Sequence, residues 1–418
     1  MPVYVWFHGG GSRVGSGAQP LFDGTVLAKQ GIVVVTVNYR LGIFGFISST
    51  ALSAESGYGG SGNYGFMDDI AALTWVQRNI ARFGGDPRRV TIGGESSGAV
   101  TASVLMSSPL AAGTFAQVIA ESGTAFRVAA PGSMGAVNLK GEEARGDAFF
   151  AKLGATDLAG ARALPTQAIL DATRQVDPIN FFNLPVVDGH VLADGPWRTF
   201  ARHKQNDVPL LVGWNSGEGS MQLMFMDKFG PLPDVLKGYY GVAADQVAPL
   251  YPGAPDDPHL LIKAAGDYGF GYPNWKWAMA QAQFGKAPVY VYEFDHAPPV
   301  PEGYFGPKFD SRLAGAYHGS ELAYVFGTLN TEPKWAVGDV DRRISAQMST
   351  YWANFIKTGQ PGGPGLPAWP SYDPAHGPQR MHIAAETAAG PDPDFALFTT
   401  LKAAHDRIDP PEPGAALP

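Results

Sequence analysis

Ser96 lies in a sequence pattern that can make a hydroxyl group nucleophilic. The motif GESSG occupies residues 94–98, directly after the β-branched run at 90–93 and before a stretch of small residues. Flanking glycines permit a tight turn between a strand and a helix, and the helix N-terminus favours negative charge. The motif therefore predicts a nucleophilic Ser96. A serine that only caps the following helix is the simpler alternative.

Consecutive glycines follow the first apolar run, in the sequence HGGG at residues 8–11. Attack on an acyl carbonyl leaves a negative oxygen that preset donors must meet, and glycines let N–H groups approach without obstruction by side chains. We predict that the N–H groups of Gly10, Gly11 and Ser97 form such an oxyanion hole. The alternative is a flexible glycine turn, and we expect His8 to be structural.

A serine nucleophile needs a base, and the base needs an acid that fixes its orientation. Two carboxylates compete for the acid: Glu218, in the loop after the apolar run at 208–214, and Asp188. Two histidines compete for the base: His318, in a Gly-flanked loop, and His296, just after a β-rich run. The residue pattern favours Glu218 weakly and does not separate the two histidines.

The composition excludes several other chemistries. The 418 residues are 45% hydrophobic and 16% charged, without an 18-residue apolar run, as in a globular protein that has no membrane partner. A net charge of −8 disfavours nucleic acid, and zero cysteines exclude a disulfide framework or a cysteine nucleophile. The predicted chemistry requires no metal and no cofactor. The first residues lack signal-peptide features, so we expect an unexported, cytoplasmic protein.

β-rich runs alternate with helical stretches over the first 125 residues, which predicts an α/β fold with a mostly parallel sheet flanked by helices. The β-branched run at 31–39 has the composition of a strand buried on both faces, and so of a central one. Apolar spacing at 68–83 predicts a helix. Further strands are predicted at 3–7, 89–93, 117–120, 208–214 and 287–294.

We interpret residues 1–418 as a single domain. Two less regular segments, about 127–185 and 215–285, are expected to be insertions that form a cap or regulatory subdomain and roof the site. Residues 388–418 are rich in Pro, Gly and Asp, which predicts a loosely held C-terminal segment.

Taken together, these motifs resemble the type-B carboxylesterase family, which includes cholinesterases, bacterial p-nitrobenzyl esterases and the non-catalytic neuroligins. The resemblance runs through most of the chain, in segments such as PVYVWFHGGG, VVVTVNYRLGIFGF, GNYGFMDDIAALTWVQRNIARFGGDP, VTIGGESSGA, LLVGWNSGEG and GAYHGSELAYVFG. It implies the α/β-hydrolase fold and hydrolysis of carboxylic esters with small to medium acyl groups through an acyl-enzyme. The implied partner is therefore a small-molecule ester.

The resemblance also assigns the alternatives that the pattern leaves open. It implies Ser96 as nucleophile, Glu218 as acid and His318 as base, and it agrees with the proposed oxyanion donors. It further implies that Phe181 is a wall of the acyl pocket and that Ser122 is a buried hydroxyl supporting the acid. Two further candidates for the substrate pocket are Phe126 and Met221, although such residues more often lie in the core.

Two departures from the family bear on these expectations. The family usually has Ala at position 97, but only the N–H of Ser97 is needed. Family members normally carry about a hundred residues before the first strand, and their absence would make residues 31–39 a sheet edge able to pair with a second copy. An export signal could also lie upstream. The rival hypotheses are a catalytically silent, neuroligin-like interaction protein and an inactive fragment.

Overall fold

The computed structural model describes residues 1–126, 135–175, 183–221, 230–306 and 311–408. Its strands are β1 (Val3–Phe7), β2 (Val33–Val37), β3 (Val90–Glu95), β4 (Gln117–Glu121), β5 (Val137–Asn138), β6 (Val186–Val187), β7 (Leu210–Asn215), β8 (Val289–Phe294), β9 (Gln379–Ile383) and β10 (Ala388–Pro391).

Helices occupy most of the connections between these strands. The α-helices are α1 (Thr25–Lys29), α2 (Ile43–Phe46), α3 (Thr50–Glu55), α4 (Tyr64–Asn79), α5 (Ser97–Ser107), α6 (Leu139–Lys152), α7 (Leu158–Ala163), α8 (Thr166–Arg174), α9 (Pro196–Ala201), α10 (Leu232–Tyr240), α11 (Ala244–Val247), α12 (Pro258–Gly266), α13 (Tyr272–Phe284), α14 (Leu322–Val325), α15 (Asp339–Thr358) and α16 (Phe395–Ile408). Short 3-10 turns lie at Pro20–Phe22, Ile80–Phe83, Pro109–Ala111, Gly241–Ala243, Ala248–Leu250, Ser311–Leu313 and Leu329–Thr331, and a π-turn lies at Asp267–Gly271.

Eight strands form one sheet in the order β10-β9-β8-β7-β4-β3-β1-β2, while β5 and β6 form a separate parallel pair. Every neighbouring pair in the large sheet is parallel except β9 and β10. The carboxyl ends of the parallel strands therefore share one edge of the sheet, where ligand sites of open α/β sheets lie. The predicted α/β fold with a mostly parallel sheet is confirmed.

Side chains of β1 alternate between two hydrophobic clusters on opposite faces of the sheet. Val3, Val5 and Phe7 belong to one cluster, and Tyr4 and Trp6 belong to the other. Helices α4, α5 and α13 contribute to the first cluster, and α14 and α15 contribute to the second. Burial on both faces explains why the strand is apolar throughout rather than alternating.

The strand β2 lies at an edge of the large sheet, so the central position predicted from its composition is wrong. It pairs only with β1 among the described residues, from Val33 opposite Val3 to Val37 opposite Phe7. Val33 and Val35 are half-buried against one face and Val34 against the other, whereas Val37 is buried and Thr36 is exposed. The amino-acid composition of a strand does not indicate how many neighbouring strands form hydrogen bonds with its backbone. The edge position agrees with the family resemblance.

The C-terminal segment is ordered further than its composition predicts. Residues 388–408 form β10 and α16, and Phe398, Leu401 and Ala404 of α16 are buried in the core. The helical spacing of these apolar residues lets α16 pack against the core, and the loosely held character of 388–418 as a whole stays a prediction. Residues 409–418 lie outside the described part.

The predicted helix at 68–83 is present, beginning at Tyr64 and ending in the 3-10 turn Ile80–Phe83. The cap or regulatory role of 127–185 and 215–285 stays a prediction, although the described parts contain α6–α8 and α10–α13. Within the described ranges, no helix combines the length and apolar character needed to cross a bilayer.

Candidate active site

Ser96 occupies a strained turn between β3 and α5. Its φ of 55° and ψ of −121° fall in a region that side chains other than glycine rarely adopt. A Cβ on Gly98 would overlap the carbonyl oxygen of Phe7, so only glycine lets the start of α5 approach β1 this closely. This geometry lifts Ser96 above the carboxyl end of the sheet.

Backbone hydrogen bonds hold this turn in place. The N–H of Ser96 donates to the carbonyl of Glu121 at 2.8 Å, and the carbonyl of Ser96 accepts from Val100 at 3.0 Å. The Ser96 side chain makes no capping hydrogen bond to α5, so the helix-cap alternative is not observed.

The glycine loop after β1 lies against Ser96. A Cβ on Gly9 would lie 3.2 Å from Cβ of Ser96, and Gly10 and Gly11 have φ values of 109° and 64°. Across the described ranges, the N–H groups of Gly10 and Gly11 donate to no hydrogen bond. Ser97 is the first residue of α5, so its N–H lacks an intrahelical acceptor. These N–H groups are available to an oxyanion.

His8 is tied into the structure, as expected from the sequence. Its Nδ1 lies 2.8 Å from the carbonyl oxygen of Gly9, and its ring stacks on Tyr39 with 4.7 Å between centroids.

His318 and Glu218 come together although 100 residues separate them in the chain. His318 Nδ1 lies 2.6 Å from Glu218 Oε2, and the other Glu218 oxygen accepts from the N–H of Asn215 at 2.8 Å. The buried carboxylate is therefore held at both oxygens. This arrangement fixes the orientation of the imidazole ring.

The two competing residues are engaged elsewhere. Asp188 Oδ1 accepts from the N–H groups of His190 and Leu192, each at 3.0 Å. His296 Nε2 lies 2.8 Å from Oδ1 of Asp341. Neither residue shares a contact with His318 or Glu218 in the described ranges.

Glu95, the residue before Ser96, contacts the second nitrogen of His318, a role that the residue patterns do not predict. Its Oε1 lies 3.1 Å from His318 Nε2. The only available signal was its position inside the GESSG motif. His318 thus lies between two buried carboxylates, one at each ring nitrogen.

The charges that act on His318 are predominantly negative and come from nearby carboxylates. Burial favours the neutral ring, but the charges of Glu218 and Glu95 outweigh burial and raise the pKa of His318 to about 9. Burial also raises the pKa of Glu95, although His318 opposes this shift. Burial raises the pKa of Glu321 to about 8, and its carboxylate accepts from the side-chain amide of Asn215.

Predicted supporting residues have mixed outcomes. Ser122 is buried, but its Oγ has no hydrogen-bond partner in the described part, so direct support of the acid is not observed. Phe126 is buried in the core, with ring centroids 5.2 Å from Phe200 and 6.0 Å from Trp277, which favours a packing role, and its pocket role stays a prediction. Phe181 lies outside the described residues. Met221 follows the acid loop, and its pocket role stays a prediction.

Comparison with known proteins identifies the family. The sequence profile of the Carboxylesterase family matches residues 1–237 and 258–396. The chain belongs to the carboxylesterase family.

Relatives include fumonisin B1 esterase of Sphingopyxis macrogoltabida, 35% identical over 392 residues, covering 89% of this chain and 68% of that protein. Para-nitrobenzyl esterase of Bacillus subtilis is 34% identical over 396 residues, covering 89% and 73%. Liver carboxylesterase of Sus scrofa is 33% identical over 432 residues, covering 93% and 71%. A solved structure of PNB esterase matches with a TM-score of 0.81 and 31% identity, over 96% of this chain and 80% of that one.

As a carboxylesterase-family member, the chain is a serine hydrolase of carboxylic esters with the α/β-hydrolase fold. The comparisons do not favour a non-catalytic interaction protein.

The pH dependence of a carboxylesterase with this site should depend on Glu95. If His318 is the general base, it must be neutral to accept a proton, so kcat/KM should rise with pH as the imidazolium, whose pKa is about 9, loses its proton. Glu95→Gln removes one of the two charges that raise this pKa. The rising limb should therefore move to lower pH.

This shift is measured as kcat/KM for p-nitrophenyl acetate over a pH range that extends well below and above the His318 pKa of about 9. Glu386→Gln, at an exposed position that is not among the charges shifting His318, is the matched control and should leave the profile unchanged. Identical profiles for Glu95→Gln and the wild type would contradict the electrostatic role of Glu95.

Proposed function

We propose that this chain hydrolyses carboxylic esters through an acyl-enzyme, with Ser96 as nucleophile, His318 as general base and Glu218 as the orienting acid. The contact of 2.6 Å between His318 Nδ1 and Glu218 Oε2 is the observation that carries the proposal. This contact holds the Nδ1 proton toward Glu218, so Nε2, which Glu95 contacts, is the nitrogen that would exchange a proton with Ser96.

The reaction then proceeds in two halves. Ser96 Oγ transfers its proton to His318 Nε2 and attacks the ester carbonyl, while the N–H groups of Gly10, Gly11 and Ser97 bind the oxyanion. His318 returns the proton to the leaving alcohol. Water, activated by His318 in the same way, releases the carboxylic acid from Ser96.

Glu95 must give up its contact with Nε2 before His318 can receive the proton from Ser96. Glu95 Oε1 lies 3.1 Å from His318 Nε2, while Glu218 contacts Nδ1, so a carboxylate contacts the ring at each nitrogen. Substrate entry therefore exchanges one hydrogen-bond partner of His318 for another. Glu95 acts as a positioning residue in this scheme.

The proposed substrates are esters with small to medium acyl groups. The resemblance of Phe181 to an acyl-pocket wall residue supports this limit. The relatives' names include a para-nitrobenzyl esterase and a fumonisin B1 esterase. Membership of the family therefore indicates that an ester bond is hydrolysed but does not indicate which alcohol is released.

Hydrolysis of p-nitrophenyl esters of graded acyl length tests this proposal. We expect kcat/KM to be highest for acetate or butyrate and to fall towards palmitate, because the family resemblance implies that Phe181 is a wall of the acyl pocket. Phe181→Ala should move the preference to longer chains. Faster hydrolysis of palmitate than of butyrate would contradict the acyl limit. A folded chain without any turnover would contradict the hydrolytic mechanism itself.

We also propose that this chain self-associates through the β2 edge. Backbone groups on the outer side of β2 face no other strand among the described residues, and Thr36 is exposed there. An open β edge is a template for pairing with a second copy. Thr36→Lys should prevent pairing, because a charge on the edge opposes docking of another strand.

Light scattering at increasing protein concentration measures this association. The wild type should become dimeric, and Thr36→Lys should stay monomeric. Thr400→Lys, on the exposed face of α16, is the matched control and should dimerise normally. A monomeric wild type at high concentration would overturn the proposal.

A further inference from the structure

A cavity of about 540 Å³ lies among the short helices α2, α3, α7 and α8 and the beginning of α4. We call it the second cavity to distinguish it from the site that contains Ser96. Neither Ser96, Glu218 nor His318 lines it. The volume lies within the range of cavities that bind small molecules. The catalytic mechanism does not use this cavity.

The walls of this second cavity are mainly aliphatic and aromatic. Its interior is formed by Ile43, Ile47, Leu52, Met67, Phe150 and Ile169. The two isoleucines at 43 and 47 are buried, and the other four side chains are half-buried against the same hydrophobic cluster. Poorly held water in such a space is displaced favourably by an apolar group.

Two ion pairs flank the second cavity and cancel its charge. Arg40 binds both carboxylate oxygens of Asp68, at 2.7 and 2.8 Å. Arg162 binds both carboxylate oxygens of Glu55, at 2.7 and 2.6 Å. Each arginine is therefore already matched by a bidentate partner. Among the described residues that line the cavity, a charged ligand would find no uncompensated group of opposite sign.

We propose that the second cavity is a binding site for neutral apolar molecules with an alkyl chain, such as a medium-chain alcohol. The apolar walls favour burial of the chain. The compensated rim disfavours a carboxylate or an ammonium group, because burial of an unpaired charge is costly. The site is separate from the ester-cleaving centre and does not depend on the mechanism proposed for it.

Met67 gives a direct readout of occupancy. Methionine methyl groups labelled with ¹³C report individually by NMR, and Met67→Leu identifies the signal of Met67. Addition of 1-octanol to the wild-type chain should shift this signal saturably. Octanoate and octylamine, which carry the same chain with opposite charges, should bind at least about tenfold more weakly.

Substitutions locate the binding to the second cavity. Leu52→Trp fills the space and should weaken 1-octanol binding at least about tenfold, while kcat/KM for p-nitrophenyl acetate stays unchanged. Leu110→Trp, an exposed leucine that does not line the cavity, is the matched control and should bind like the wild type. Circular dichroism and the thermal midpoint verify folding, and Ile169→Trp replaces Leu52→Trp if the latter does not fold.

Three results would overturn the proposal. The first is a Met67 signal that does not respond to 1-octanol up to its solubility limit. The second is binding of octanoate or octylamine as tightly as 1-octanol. The third is unaltered binding in a folded variant whose cavity is filled.

Discussion

Ser96→Ala is expected to lower kcat for p-nitrophenyl acetate by about a million-fold, because the nucleophile, its base and its acid act as one unit. Alanine has the Cβ that serine has, so the strained turn with φ of 55° should form as before. The loss is measured as the rate of p-nitrophenol release at saturating ester. Circular dichroism and thermal unfolding should match those of the wild type.

Ser97→Ala is the matched control for this experiment. It removes a neighbouring buried hydroxyl but keeps the N–H group that the mechanism uses. Its activity should stay close to that of the wild type. Equal losses in both variants would mean that the turn, rather than the Ser96 hydroxyl, is being disturbed. Full activity in Ser96→Ala would refute the nucleophile assignment.

Glu218→Gln is expected to lower kcat by about ten-thousand-fold. Glutamine keeps the shape of the side chain, but it removes the negative charge that orients His318 and stabilises its imidazolium. The amide can also present N–H to Nδ1, which selects the wrong tautomer of the ring. Steady-state rates at the pH optimum of each variant measure the effect.

Asp188→Asn provides the comparison for the acid. Asp188 Oδ1 accepts hydrogen bonds from two backbone N–H groups in its own loop. Asp188→Asn should therefore change the stability of the fold more than the turnover rate of the enzyme. A loss of catalysis in Asp188→Asn as large as that in Glu218→Gln would contradict the assignment of the acid.

Local features of the site are predictable from the sequence because short-range sterics determine them. The glycines at 94 and 98 permit the turn that carries Ser96, and those at 10 and 11 leave N–H groups unobstructed. The alternation of apolar runs and helices likewise predicts the parallel sheet. Each of these signals lies within a few residues of the feature it specifies.

Long-range features were not predictable from residue patterns alone. The contact between Glu218 and His318 depends on how loops after two different strands converge, and local sequence does not encode that distance. Nothing in the sequence around Glu95 indicates that the second residue of the GESSG motif has a role of its own. The edge position of β2 depends on which strands pair, whereas its composition reports only burial of its two faces.

The left-handed backbone of Ser96 links reactivity to the native state of the whole chain. A conformation of this kind costs about 1–3 kcal/mol, which the surrounding contacts must offset. Those contacts join α5 to β1 and β4, so they exist only when tertiary packing is intact. A molten state that kept its helices would relax this residue to an ordinary conformation, and the hydroxyl would lose its alignment before the secondary structure melted.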